Sequence, residues 1–279
     1  MTNQHDKGAT FKALHEAEET FIIPNPWDAG TAKVLAGLGF KALATTSSGF
    51  AFTAGKPDGA LAVTRDEVLA NAKAIVEATP LPVSADLENL YAHDPKQAAE
   101  TILMAAEIGL VGCSIEDWSG DKEMQIYDIG FATERVQAAV EAARSLPFPF
   151  TLTARAENLI RNRPDLDDTI KRLQAYEEAG ADVLYAPGLN DVDTVKAVTS
   201  SVSKPVNALS TSANAHISLA EFADAGAKRI SVGGGLARIA TGAFLDAAKE
   251  MAEQGTFTQA NKAAPFKELN TLMRRGEGS

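Results

Sequence analysis

The segment Ile108-Gly109-Leu110-Val111-Gly112-Cys113-Ser114-Ile115-Glu116 ends a helical pattern in glycine and runs directly into an apolar strand. Glycine just past a helix end adopts the left-handed conformation that turns the chain back towards a sheet. The same junction occurs three more times. It connects Leu38-Gly39-Phe40 to Lys41–Thr46, Ala179-Gly180-Ala181 to Asp182–Pro187, and Ala225-Gly226-Ala227 to Lys228–Gly233.

Proline begins three further strands, which lie between the glycine-led ones. They start at Leu81-Pro82-Val83, Phe148-Pro149-Phe150 and Lys204-Pro205-Val206. Proline at the first residue of a strand loses no ladder hydrogen bond, and it stops the preceding helix. With Phe21–Asn25 as the first strand, the sequence predicts eight strands.

Helical patterns fill the gaps between the strands, as in Asp66–Glu77, Lys96–Ile108, Asp167–Ala179 and Ser218–Ala225. This alternation predicts parallel βαβ units, and eight of them indicate an α/β protein with a (β/α)8 TIM-barrel fold. A flavodoxin-like sheet with an added helical domain is the alternative. We expect one barrel domain over residues 1–279, in which residues from about 236 to 279 form a C-terminal helical extension with a frayed end.

Composition excludes several classes of protein. The chain has 279 residues and a formal net charge of -11, which argues against nucleic-acid binding because phosphates are held by clustered Lys and Arg. Its single cysteine, Cys113, permits no intrachain disulfide. Neither a signal peptide nor an apolar run of about 18 residues is found, so we expect a cytoplasmic protein without a membrane partner.

Charged side chains stand at the ends of three consecutive strands. Side chains alternate along a strand, and this phase places Asp86 and Glu88 with Ser84, Glu116 with Ser114, and Arg155 with Thr153. Carboxylates facing one cavity need a cation, and oxygen ligands with water suit Mg²⁺, with Mn²⁺ as a substitute. We therefore predict a metal site at Asp86, Glu88 and Glu116. Salt bridges at the barrel rim are the alternative interpretation.

Other polar residues near the strand ends allow two interpretations each. Arg155 either neutralises the acids or clamps a substrate carboxylate. Asp117, which has the opposite phase, is expected to cap the following turn, and Cys113 is expected to lie in the core.

Two glycine-containing segments and two tryptophans also follow strand ends. The segment from Thr45 to Phe50 either cradles a carboxylate or phosphate or forms a tight turn, and for Gly233-Gly234-Gly235 the turn is favoured. Trp27 and Trp118 either wall the pocket or pack in the ordinary way.

Taken in order, short motifs make the chain resemble the isocitrate lyase and phosphoenolpyruvate mutase superfamily, from near its start to about Glu253. They are Pro24-Asn25-Pro26-Trp27-Asp28, Thr45-Thr46-Ser47-Ser48-Gly49-Phe50, Asp58, Ser84-Ala85-Asp86-Leu87-Glu88, Ser114-Ile115-Glu116-Asp117, Thr153-Ala154-Arg155 and Tyr176-Glu177-Glu178-Ala179-Gly180-Ala181-Asp182.

The resemblance implies roles for these residues. Asp86, Glu88 and Glu116 would hold Mg²⁺ directly or through water, Asp58 would add a further acid, and the metal would stabilise an enolate-like species. Substrate would be bound by Ser47, Ser48, Gly49, Phe50, Trp27 and Arg155, and catalysis would involve Arg155, Asp58 and Glu116. Relatives form tetramers that exchange a C-terminal helix, so we expect a homo-oligomer, a dimer or tetramer, in which the helix after Leu236 packs on a neighbour.

Departures from the superfamily pattern narrow the reaction. The lyase branch uses a cysteine in a mobile loop after the fourth strand, and the corresponding residues 118–128 contain neither cysteine nor histidine. Glu88 also stands where relatives have an aspartate. The leading hypothesis is a Mg²⁺-dependent lyase of a small 2-oxo or 2-hydroxy dicarboxylic acid, such as an oxaloacetate decarboxylase. Alternatives are a phosphonopyruvate-type P–C hydrolase or mutase and a catalytically weak 2-oxo-acid-binding protein.

Overall fold

The computed structural model describes residues 3–59, 61–121 and 123–275. Its eight strands are all parallel and lie in the order β1-β8-β7-β6-β5-β4-β3-β2. Because β1 pairs with β8, the sheet curls round into a barrel and the TIM-barrel prediction is confirmed. The strands are β1 Phe21–Ile23, β2 Leu43–Ala44, β3 Val83–Asp86, β4 Gly112–Glu116, β5 Thr151–Arg155, β6 Val183–Tyr185, β7 Val206–Leu209 and β8 Arg229–Ser231.

Asn25 closes the gap between the first and second strands. Its Nδ2 donates to the carbonyls of Ala44 and Thr45 beside β2, while its Oδ1 accepts from the backbone N–H groups of Val232 and Gly233 after β8. One buried amide therefore ties three strand ends together at the rim of the barrel, where an unpaired backbone group would be costly.

The predicted glycine junctions have the conformation that their role requires. Gly109 has φ +96° and Gly180 has φ +100°, in the left-handed region that a side chain disfavours. Each follows the end of a helix and returns the chain to the sheet, as predicted.

Eleven α-helices are found in the described residues, including each of those predicted, with bounds that differ by one or two residues. They are α1 Gln4–Glu16, α2 Ala29–Gly37, α3 Ser47–Thr53, α4 Arg65–Glu77, α5 Pro95–Glu107, α6 Ile129–Arg144, α7 Leu166–Glu178, α8 Val192–Thr199, α9 Leu219–Asp224, α10 Gly235–Gln254 and α11 Phe266–Arg275.

Helix α1 was not predicted, because the sequence there shows only mixed polar residues. It buries Phe11 and His15, and His15 Nε2 lies 3.3 Å from the Arg229 guanidinium at the start of β8. The helix therefore packs at the amino-terminal end of the barrel, opposite the strand ends that carry the predicted site.

The core lies between the strands and the surrounding helices, and it includes Cys113, which is fully buried as predicted. Helix α11 packs against α2 so closely that a side chain at Gly37 would meet the Leu272 carbonyl. Helix α10 leaves Ile239 and Phe244 about 70% exposed (71% and 68%). Among the described residues, no helix has the length and apolar character needed to cross a membrane.

Candidate active site at the carboxyl ends of the strands

A cavity of about 50 Å³ opens among the carboxyl ends of the strands. Polar side chains from β3 to β8 surround it. They are Ser84, Asp86, Ser114, Thr153, Arg155, Tyr185, Asn207, Arg229 and Ser231. The carboxyl face of such a barrel is where enzymes of this fold carry their chemistry, which makes this cavity the candidate active site.

Asp86 occupies the end of β3 and is held in one orientation. Its Oδ2 accepts from both the backbone N–H of Ser47 at 3.1 Å and the Ser47 hydroxyl at 2.8 Å, and its Oδ1 accepts from the Ser114 hydroxyl at 3.3 Å. The Asp86 backbone N–H donates to the Thr45 hydroxyl. This carboxylate lines the cavity and is preorganised, as a metal or substrate ligand should be.

Arg155, at the end of β5, is surrounded by acids. Its Nη1 lies 2.9 Å from Glu116 Oε1 and 3.9 Å from Asp86 Oδ1, and its Nε donates to Glu157 Oε1. The guanidinium also stacks on Tyr185, with Cζ 4.9 Å from the ring centre. The interpretation that Arg155 neutralises the acid cluster is thus observed, and its role as a substrate clamp stays a prediction.

Glu116 has one carboxylate oxygen without a partner. Oε1 pairs with Arg155, whereas the buried Oε2 accepts no hydrogen bond. Burial raises the pKa of Glu116 well above its ordinary value, against the opposing effect of Arg155. A buried orphan oxygen of this kind fits a nearby cation or a metal-bound water, which would supply the missing interaction.

Glu88 departs from the predicted strand phase. β3 ends at Asp86, and Glu88 has φ +51° within a turn closed by the bond from Leu90 N–H to the Leu87 carbonyl. The alternation of side chains holds only while the backbone is extended, so Glu88 turns away from the central cavity. It lines an adjacent cleft with Asp58 and Ser47.

The prediction that all three acids face one cavity is therefore wrong for Glu88. Burial and the neighbouring Asp86 raise the pKa of Glu88 to about 7, and the same two causes raise the pKa of Asp58. Asp58 and Glu88 remain electrostatically coupled to Asp86 across the wall formed by Ser47.

Across the described ranges, no three His, Cys, Asp or Glu side chains form a ready metal cage. Ion pairing of Glu116 and the turn at Glu88 account for this. The remaining arrangement, one preorganised carboxylate with further acids nearby, fits a cation that keeps several waters, as Mg²⁺ does. Whether Asp86, Glu88 and Glu116 contact the ion directly or through water stays a prediction.

Arg135 on α6 holds the turn that carries Glu88. It is almost fully buried and donates to four backbone carbonyls, those of Asn89, Ala92, His93 and Glu116. Three residues of this turn, Glu88, Leu90 and Tyr91, have positive φ. Such conformations persist only where the surroundings fix them, and Arg135 is the group that does so here.

The segment Ser47–Phe50 forms the first turn of helix α3 rather than an open cradle. Thr46 caps the helix by accepting the Gly49 N–H, and the Ser47 N–H is taken by Asp86. Ser48 Oγ lies 3.2 Å from Thr46 Oγ1, and a Cβ at Gly234 would lie 2.4 Å from it. The Ser47 and Gly49 groups predicted to contact substrate thus bond within the protein, where Ser47 holds Asp86, and a substrate contact by Ser47 stays a prediction.

The other predicted residues near α3 either pack against that helix or line one of the two cavities. Gly233 lines the cavity at φ +50°, and the glycine triplet forms the predicted turn into α10. Trp27 packs beside Gly49, where an added Cβ would come within 3.0 Å of the Trp27 Cβ. Phe50 lines the adjacent cleft with Asp58. Substrate contacts by Trp27, Ser48, Gly49 and Phe50 stay predictions.

Asp117 is a buried hydrogen-bond acceptor and, contrary to the prediction, does not cap the following turn. Its Oδ1 accepts the Glu157 N–H, and its Oδ2 accepts from Arg172 and from the Tyr176 hydroxyl on α7. The opposite phase of Asp117 was correctly assigned, but that phase points it at α7. Asp128 caps the following helix instead.

The loop after β4 is short and folds onto itself. Trp118 forms an isolated antiparallel β-bridge with Ile126, and the Ser119 N–H donates to the Gln125 carbonyl at 2.8 Å. Arg161 lies over the Trp118 ring at 4.3 Å and pairs with Glu157 at 2.9 Å. Lys122 of this loop lies outside the described residues, as do residues 276–279 of the end predicted to fray.

Five polar residues of the site have no counterpart among the predictions. Glu157 is fully buried between Arg155 and Arg161, and four more line the cavity from β6, β7 and β8: Tyr185, Asn207, Arg229 and Ser231. β5 ends at Arg155 and Glu157 has a helical backbone, so strand alternation does not extend to it. Alternation along the last three strands is the signal that could have found the other four, since Arg229 and Ser231 share one phase of β8.

Comparison with known proteins identifies the family of the chain. The family model for phosphoenolpyruvate phosphomutase matches residues 11–252. A crystal structure from Burkholderia cenocepacia J2315, provisionally described as a lyase/mutase, is 54% identical, covers 96% of this chain and 95% of its own, and has a TM-score of 0.92.

Two curated relatives have named activities. A 2-methylisocitrate lyase of Halalkalibacterium halodurans is 28% identical over 73% of this chain and 67% of its own length. An oxaloacetate decarboxylase of Pseudomonas paraeruginosa is 26% identical over 73% of this chain and 71% of its own. The chain therefore belongs to the phosphoenolpyruvate phosphomutase family, within the isocitrate lyase and phosphoenolpyruvate mutase superfamily of lyases and mutases, and is an enzyme.

Proposed function

We propose that this enzyme is a Mg²⁺-dependent lyase of a small 2-oxo dicarboxylic acid, with oxaloacetate decarboxylation as the leading reaction. The observation that carries the proposal is Asp86, fixed by Ser47 and Ser114 at the cavity edge beside Arg155. The preorganised acid and the nearby guanidinium offer separate positions for a cation and for an anionic substrate.

Asp86 would hold the ion directly, and Glu88, Glu116 and Asp58 would act through water. When bound, Mg²⁺ supplies positive charge that offsets the negative charge developing on the substrate's carbonyl oxygen. Ser47 and Ser114 keep the Asp86 carboxylate in place, so that no reorganisation is needed as charge develops. Arg155 contributes a buried positive charge near Asp86 Oδ1, whereas Ser47 bonds to Oδ2.

Decarboxylation suits the short loop after β4. In this reaction the C3–C4 bond of oxaloacetate breaks, carbon dioxide leaves, and the electron pair stays on the three-carbon fragment. No departing carbanion has to be protonated from a mobile loop at the moment of cleavage. The absence of cysteine and histidine from residues 118–128 is thus compatible with the reaction, and the named activity of the Pseudomonas relative supports it.

Product analysis tests the proposal. We expect the purified enzyme with Mg²⁺ to convert oxaloacetate to pyruvate and carbon dioxide at a rate above the non-enzymatic background. Proton NMR measures this rate. Chelation should return the rate to background. Equal rates with and without enzyme, on oxaloacetate and a panel of other 2-oxo dicarboxylates, would overturn it.

Phosphorus–carbon cleavage is the second candidate, favoured by the match to the phosphomutase family model. Phosphorus NMR on phosphonopyruvate separates the two, since hydrolysis releases inorganic phosphate and rearrangement gives phosphoenolpyruvate. Oxalate binding in the presence of Mg²⁺ without turnover of either class of substrate would instead indicate a binding protein.

The homo-oligomer is likewise a proposal, supported by the exposed apolar side chains of α10.

A further inference from the structure

Tyr185 brings a hydroxyl-bearing side chain into the same cavity as Asp86. It is the last residue of β6, only 8% exposed, and in register with Arg155 on one side and Asn207 on the other. Its ring lies under the Arg155 guanidinium. Nothing derived so far for the reaction uses this phenol.

A row of hydrogen bonds runs from Arg229 through Asn207 to Ser231, beside the Tyr185 hydroxyl. The Arg229 Nε donates to Asn207 Oδ1 at 2.7 Å, and a guanidinium can only donate, so the amide orientation of Asn207 is determined. Asn207 Nδ2 then donates to Ser231 Oγ at 2.9 Å. Ser231 lies next to Tyr185 and favours its ionised form. One lone pair of the Ser231 oxygen takes the Asn207 N–H, so the Ser231 hydrogen is available to the Tyr185 oxygen.

With the Ser231 hydrogen directed at its oxygen, Tyr185 would keep its own hydrogen free to point into the cavity that it lines. Burial raises the pKa of Tyr185 to about 12, so the phenol is protonated at neutral pH. Arg155 and Ser231 both favour the tyrosinate that remains after a proton has been given away. The other tyrosine near the acids, Tyr91, lines the adjacent cleft instead.

We propose that the Tyr185 hydroxyl is the proton donor of this enzyme, taking the role that a loop cysteine has in the lyase branch. The inference rests on the proposed decarboxylation. After carbon dioxide leaves, C3 of the enolpyruvate fragment takes the phenolic proton and forms the methyl C–H bond of pyruvate. The O–H electron pair stays on the tyrosinate, which water reprotonates after product leaves. Ser231 and Asn207 are positioning residues for this step.

Hydrogen exchange of pyruvate measures the proton step alone. In D₂O with Mg²⁺, the wild-type enzyme should exchange the methyl hydrogens of pyruvate, seen as loss of the proton NMR signal. Tyr185→Phe should lower this rate by roughly 100-fold or more, the size of a general-acid contribution. Its affinity for oxalate with Mg²⁺, measured by calorimetry, should stay within about two-fold, because the pocket keeps its shape.

Two further variants separate donation from folding. Ser231→Ala keeps the phenol but removes its hydrogen-bond donor, and should lower exchange by roughly ten-fold, the equivalent of one hydrogen bond. Tyr127→Phe is the matched control, because its hydroxyl bonds to His93 and Asn89 outside the cavity and its loss should leave exchange unchanged.

The outcomes distinguish this inference from the proposed function. Exchange by Tyr185→Phe at the wild-type rate, or an equal fall in oxalate affinity, would show that Tyr185 only shapes the pocket. A wild type that decarboxylates oxaloacetate without exchanging pyruvate hydrogens would also reject Tyr185 as donor, while the proposed function would stand. A wild type that neither binds oxalate nor turns over oxaloacetate would overturn both.

Discussion

The two halves of the barrel mouth are stabilised differently. Strands β3 to β5 carry ion pairs, in which Arg155 lies among Asp86, Glu116 and Glu157. Strands β6 to β8 carry hydrogen bonds to neutral groups, and the buried Arg229 guanidinium bonds to Asn207, Thr153 and His15. A cation and an anionic substrate suit the first half, and a proton donor that stays neutral suits the second.

Burial disfavours charge in both halves. In the charged half it raises the pKa of Glu88 to about 7 and of Glu116 well above its ordinary value, and neighbouring acids add to the rise. In the hydrogen-bonded half it raises the pKa of Tyr185 to about 12 and lowers that of Arg229 to about 10. The first half therefore gathers several acids around Arg155, whereas the second places Arg229 among neutral groups.

The same substitution made in each half tests this contrast, and Arg155→Met should have the larger effect. It leaves Glu116 buried without its cation and Glu157 with Arg161 alone, which should cost about 3–5 kcal/mol of unfolding free energy. Urea denaturation measures the loss. A cost below about 1 kcal/mol would mean that the acids are protonated and that the half is not charged.

Arg229→Met should be milder. It leaves neutral acceptors unpaired, at a cost of about 1–3 kcal/mol, and it removes a cation that pairs with no acid in the described part of the chain. The same urea experiment compares it with Arg155→Met. Equal losses for the two variants would contradict the distinction between the halves.

The pH dependence of stability should report Glu88. Its pKa is near 7 in the folded protein and 4.5 is its ordinary value. The folded state therefore holds a proton that the unfolded chain releases, so this contribution is complete below pH 4.5 and is lost as pH rises through 7. His15 acts in the opposite sense, with a stabilisation present above 6.5 that is lost as pH falls towards 3.

Comparing wild type with Glu88→Gln isolates the glutamate, because His15 is common to both. Without metal, the Tm advantage of Glu88→Gln over wild type should grow between about pH 5.5 and 8, as the wild-type carboxyl ionises. Calorimetry at a series of pH values checks this. A constant difference would place the Glu88 pKa outside this range.

Arg161→Ala should have the smallest effect. Arg161 stacks on Trp118 and pairs with Glu157, but its side chain is 28% exposed and Glu157 keeps Arg155. We expect a loss of about 0.5–1 kcal/mol in urea denaturation. A loss as large as that of Arg155→Met would make Arg161 the main partner of Glu157.

The fold could be predicted from the sequence because local rules and the global repeat agree. Glycine after a helix and proline before a strand are conformational constraints that act within a few residues, as Gly109 and Pro82 illustrate. Alternation then assigned Asp86 and Arg155 correctly to the face that lines the cavity, whereas Glu116 contacts Arg155 without lining it. Helix α3 was missed because Ser47–Phe50 reads equally well as a turn.

The orientation and hydrogen-bond partners of the individual site residues depended on contacts between residues that are distant in the sequence. The direction of Glu88 follows from a turn held by Arg135, 47 residues further along the chain. The partners of Asp117 come from α7, and the free hydrogen of Tyr185 follows from Arg229, Asn207 and Ser231 together. Strand phase can place each side chain on a face, but it does not show which neighbours bond to it.

The most direct test of the central claim is the initial rate of oxaloacetate loss as a function of Mg²⁺ concentration. Wild type should show saturable activation, and so should the control Asp167→Asn, whose carboxylate lies exposed in the first turn of α7. Asp86→Asn should be slower by on the order of 10³-fold at every Mg²⁺ concentration. An Asp86→Asn enzyme that kept the wild-type rate and Mg²⁺ dependence would contradict the account.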